Sequence, residues 1–186
     1  MLKSDSQRWG AAAKFFHWAT VVLILVQGAV GLIMVDLPKR PNVIPVYDFH
    51  KSLGMTIFAL ASLRLIWRAF DPRPGTPQTM PPWQVRVARG GHILLYALVF
   101  AVPLTGYWFD SLSGLRPLYY FGLFQVPHWF AANPHTKDFA AETHETLFWI
   151  LIAVATGHAL MALVHQYHNH DNLLRRMLPE RRRDPA

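Results

Sequence analysis

The chain has 186 residues, of which 52% are hydrophobic and 16% charged, well under the ~25% charged typical of soluble domains. There are ten histidines, and the absence of cysteine excludes disulfides, thiolate redox chemistry, cysteine-ligated iron–sulfur clusters and covalently attached c-type haem. The formal charge of +7 could suggest nucleic acid, but no soluble basic face with groove-reading or stacking motifs carries it.

Four segments are long and apolar enough to cross a bilayer, which takes ~20 residues. The first, about 15–35 (FFHWATVVLILVQGAVGLIMV), is too long for a signal peptide and has no small-x-small cleavage site after it. A short, proline-marked connection with Pro38, Pro41 and Pro45 leads to the second span, about 49–67. That span contains Lys51 and Arg64, each near an end where a long basic side chain can snorkel. A proline-rich linker, DPRPGTPQTMPPWQ, precedes the third span, about 91–109, which Pro103 should kink. The longest connection, about 110–142, includes GLRPLYYFGLFQVPHWF and reads as an aromatic flap at the membrane interface. The fourth span, about 143–164, runs into a tail over 167–186 that ends in ERRRDPA. The expected fold is all-α: one domain over 1–186, a transmembrane four-helix bundle surrounded by membrane lipid.

Basic residues orient this bundle. Thirteen Lys and Arg fall on the side of the two termini and the second connection, and five on the other. The positive-inside rule then places both termini in the cytoplasm.

Histidine inside an apolar span is a functional-site signal. His17 and His92 lie near the cytoplasmic ends of the first and third spans, and His50 near the outer end of the second. His144 is at the outer end of the fourth span, and His158 is fourteen residues further in. Fourteen residues are ~21 Å of helix and nearly four turns, so both side chains share one face. Two levels result: His50 with His144 outside, and His17 with His158 inside, with His92 or His165 as rivals. Imidazoles facing each other across a bundle suit a six-coordinate haem iron. Gly28, Gly31, Gly54, Gly91 and Gly157 would leave room for a flat macrocycle, or would simply let helices pack closely. A proton relay, a metal-transport site and structural polar contacts stay open as alternatives. A relay transporter would want a deep acidic partner, and the spans carry Asp and Glu only at their outer ends. The string HQYHNHD (His165, His168, His170, Asp171) reads mostly as a solvated helix end, with a surface metal site as its alternative.

The motifs KFFHW, YDFHKSLG, RGGHILLY, ETHETL, TGHALMAL and HQYHNHDNLLRRM, in this order along essentially the whole chain, resemble the bacterial cytochrome b561 family. The resemblance implies a four-helix inner-membrane cytochrome with two haem b groups, exchanging electrons with the quinone pool. Some relatives oxidise superoxide or serve as the membrane subunit of a dehydrogenase or hydrogenase, so a periplasmic redox partner is a further expectation. It implies His17 and His158 as iron ligands on the cytoplasmic side, and His50 and His144 on the outer side. Lys51, His92 and His165 are then candidates for substrate contact. Lys51, beside His50, could draw superoxide to the outer site, with Arg116 and Lys137 in the flap assisting. His92 and His165 could contact quinone, ubiquinone or a similar one, or a propionate. Lys51, Arg68 and Arg89 could pair with propionates or simply snorkel.

Overall fold

A computed structural model describes residues 1–38, 40–77 and 80–178. Four long helices dominate it: α1 (Ala11–Asp36), α2 (Ile44–Phe70), α3 (Pro82–Ser113) and α4 (Pro134–Tyr167). All four are long and apolar enough to cross a membrane. Each outruns its apolar stretch, because a helix continues in the interfacial region once its backbone bonds are made. His92 and His144 therefore lie ten residues inside their helices rather than at the first turn.

The helix starts follow local chemistry. Pro45, Pro82 and Pro134 occupy first-turn positions, where a missing N–H costs nothing. Asn133 caps α4 by accepting from the backbone N–H of His135 at 3.0 Å and of Thr136 at 3.4 Å. Pro103 sits inside α3 and removes one helical N–H. Next to that gap, the Thr105 hydroxyl donates to the carbonyls of Ala101 and Val102, both at 2.9 Å.

α3 packs most extensively on α4 and α1 on α2, with α2 against α3 joining the pairs. The buried apolar core among the described residues is small: Leu53, Ile57, Ala61, Leu98, Leu112, Ala140 and Leu151 in the helices, with Leu118 from the flap. Large apolar side chains such as Leu25, Ile33, Ile66, Ile93, Ile150 and Leu160 point outward. Such a surface would aggregate in water and suits lipid.

The aromatic flap is not wholly irregular. β1 (Leu118–Tyr120) and β2 (Phe124–Val126) form an antiparallel hairpin with Tyr119 opposite Gln125. Its turn puts Phe121 at φ 46° and Gly122 at φ 73°. A bulky residue resists positive φ, so an external contact must hold Phe121. Its backbone N–H donates to the fully buried Ser52 hydroxyl at 2.9 Å, and its ring meets Phe49. The hairpin is thereby docked on α2, two residues from His50. The all-α expectation holds for the bundle and is amended by this one hairpin.

At the opposite end, residues before α1 fold back over the bundle. The Ser4 backbone N–H donates to buried Asp71 just past α2, at 2.9 Å, and the Gly75 N–H donates to the Ser6 carbonyl at 2.9 Å. The short α5 (Leu173–Met177) closes this end: the Trp18 indole donates to the Met177 carbonyl at 2.9 Å and Arg176 to the Gly75 carbonyl at 2.7 Å. The two ends are called the hairpin side and the tail side below.

A candidate two-level haem site

Each of the four helices contributes one residue to each of two levels, and the interval is fourteen residues every time. The pairs are His17 and Gly31, His50 and Arg64, His92 and Gly106, and His144 and His158. At 1.5 Å per residue the levels are ~21 Å apart, and nearly four turns keep each pair on one face.

On the hairpin side, the His50 and His144 rings have centroids 6.3 Å apart and planes 89° to each other. Glycines of α1 and α3 back them. A Cβ at position 31 would sit 3.0 Å from His50 Cε1, and one at position 106 would sit 2.9 Å from His144 Cε1. The His144 ring donates through Nδ1–H to the Val102 carbonyl at 2.9 Å. That bond assigns the proton to Nδ1 and leaves a lone pair on Nε2, as a metal ligand requires. His50 Nδ1 is buried without a partner, while Gln27 on α1 holds the His50 carbonyl at 2.8 Å.

On the tail side, the His17 and His158 rings are again 6.3 Å apart. His92 is in ring contact with His158 at 5.2 Å, and its Nδ1–H donates to the Ala88 carbonyl at 2.6 Å. The Arg64 guanidinium approaches His17 Nδ1 to 3.2 Å and lies over the Tyr96 ring.

Lys51 is not a free cation: its ammonium pairs with buried Asp110 at 2.6 Å. His128 Nε2, from the loop after the hairpin, is 3.3 Å from the other Asp110 oxygen, without hydrogen-bond geometry. His165 does not join the His17 level and is no solvated helix end. It is buried, and its Nδ1 meets Asp171 at 2.6 Å. Asn169 is 3.2 Å from the same nitrogen. Among the described residues no group of three histidines or carboxylates is placed to hold a metal ion, at the HQYHNHD string or elsewhere. Arg68 lies over Trp9 and Tyr96. Arg116 has one buried nitrogen without a partner, and Lys137 makes only a loose pair with Asp138 at 3.8 Å. Gly28 backs the Phe148 ring and Gly54 meets Gln27, so both serve helix packing, whereas Gly91 and Gly157 have open space where a Cβ would be. Sequence reasoning missed Gly106, Asp110 and the approach of Arg64 to His17. The fourteen-residue interval between His92 and Gly106, and between His50 and Arg64, was the signal that could have found two of them.

The family model for prokaryotic cytochrome b561 matches residues 8–180. The chain belongs to the prokaryotic cytochrome b561 family. Cytochrome b561 homolog 2 of Escherichia coli (strain K12) is 33% identical over 92% of this chain and 92% of its own length. Cytochrome b561 homolog 1 of the same organism is 28% identical, over 94% of this chain and 99% of its own. A protein of Yersinia pestis named probable superoxide oxidase CybB is 29% identical, over 89% and 93%. This b561 chain is therefore a haem b protein of membrane electron transfer. The donor set fits that group. Two metal–imidazole bonds of about 2 Å each, plus the two half-rings, span about 6 Å, which is the separation both facing pairs have.

Proposed function

We propose that this b561 protein carries electrons across the bacterial inner membrane between two haem b groups. In this reading His50 and His144 hold one, and His17 and His158 the other. The tail side, with both termini, faces the cytoplasm. The observation that carries the reading is the pair of histidine couples, each with the same 6.3 Å ring separation, on opposite levels of the bundle. When bound, the haems supply a one-electron ferric/ferrous couple at each level.

The chain's own residues determine orientation and access. The Val102 carbonyl fixes the tautomer of His144. The hairpin docked on α2 covers the outer level next to His50. His92 lies against His158 rather than opposite His17 at the ligand spacing, which supports His158 as the ligand and His92 as its neighbour. His165, oriented by Asp171, is the residue best suited to hand a proton to a quinone at the cytoplasmic end.

The reaction we propose oxidises two superoxide anions to dioxygen at the outer face, one electron each. The two electrons and two protons convert one quinone, ubiquinone or a similar one, to quinol. The name of the Yersinia relative supports the superoxide half. In purified haem-loaded protein, superoxide should reduce both haem components, and a ubiquinone analogue should reoxidise them. Reduction by quinol with no response to superoxide would leave the transmembrane carrier and discard the superoxide step.

A further inference from the structure

The two levels occupy equivalent helix positions and are electrostatically opposite. On the hairpin side the flanking positions are Gly31 and Gly106, and a backbone carbonyl stands behind His144. The nearest cation, Lys51, is held by Asp110 at 2.6 Å. On the tail side Arg64 places a guanidinium 3.2 Å from His17. No carboxylate forms an ion pair with Arg64 among the described residues, and Arg68 shares the Tyr96 ring with it. Arginine has only donors, so it cannot accept a hydrogen bond from the His17 ring as Val102 does from His144; with Nε2 of His17 on a metal, the proton is on Nδ1 and Arg64 stands beside the ring as a charge, not as a hydrogen-bond donor to it.

We propose that Arg64 is a positioning residue that sets the tail-side haem at a higher midpoint potential than the hairpin-side haem. The inference rests on the ligand assignment above. Reduction adds one negative charge to a level. An uncompensated cation beside the ligand stabilises that added charge, and low dielectric leaves the attraction poorly screened. A carbonyl accepting from a ligand's Nδ1–H acts the other way, because it makes the ligand more basic and favours the oxidised metal. An electron released by a one-electron donor on the hairpin side, superoxide in the proposed reaction, then passes downhill. The hairpin-side level is oxidised as the tail-side level is reduced, and a quinone is the final acceptor.

The test is a redox titration of full-length, haem-loaded protein, with the two spectral components followed separately. The tail-side component is the one lost in His17→Ala and His158→Ala. In the wild type it should have the higher midpoint. Arg64→Gln should lower it by at least a tenfold change in reduced-to-oxidised ratio, about 59 mV for one electron, and leave the other component unmoved. Arg64→Lys, which keeps the charge, should retain most of the wild-type value. A tail-side midpoint that is unmoved or raised in Arg64→Gln overturns the inference, as does a wild-type tail-side midpoint below the hairpin-side one. If Arg64→Gln fails to hold its haem, the wild-type order and Arg64→Lys decide. Failure of the ligand assignment shows separately, as His17→Ala and His158→Ala removing different components.

Discussion

Gly106 lies so close to the His144 ring that a Cβ there would be 2.9 Å from Cε1. Gly106→Ala should therefore displace His144, since forcing an extra methyl into a packed site costs about 1–3 kcal/mol. The expected outcome is folded protein that has lost or shifted the hairpin-side spectral component and kept the other. Gly90→Ala, whose Cβ would meet nothing within 4 Å, should leave both components unchanged. A haem-to-protein ratio with difference spectra checks the pair.

The ring pairs at 6.3 Å lead to a second expectation. His50→Ala and His144→Ala should remove one spectral component, and His17→Ala and His158→Ala the other. His92→Ala should keep both haems, because His92 contacts His158 rather than facing His17 across the level. With no cysteine in the chain, both haems should extract into acidified organic solvent. One haem per chain at full occupancy would end the two-level arrangement.

Lys51 and Asp110 form a mostly buried pair at 2.6 Å, with side chains 19% and 11% exposed. Removing one partner of such a pair leaves an uncompensated charge and costs about 3 kcal/mol. Asp110→Ala should lower the thermal midpoint by several degrees and loosen the hairpin end. The double change Lys51→Met with Asp110→Leu should recover most of that loss. A thermal-shift series in detergent distinguishes the two. Equal losses in the single and double variants would show that the unpaired charge is not what destabilises Asp110→Ala.

Among the described residues ten Lys and Arg lie on the tail side and four on the hairpin side. A reporter fused after Ala186 should thus be active only in the cytoplasm, and one inserted near Ser113 only outside. The opposite pattern would exchange the inner and outer labels of the two levels and reverse the direction proposed for electron flow.

The sequence by itself determined four spans, their order and the height of each histidine along its helix, because hydropathy and a 1.5 Å rise are local properties. It also placed His144 and His158 on one face of one helix, too far apart to serve a single metal. It could not choose the partners. His17, His92 and His165 all lie at or beyond the tail-side level, and height along the membrane normal says nothing about rotation around it. Only the packing of the four helices set His17 opposite His158, laid His92 against that ring and withdrew His165 into its contact with Asp171. The same packing joined Lys51 to Asp110 across fifty-nine residues of chain. It also brought Arg64 to His17, giving two similar levels opposite electrical surroundings.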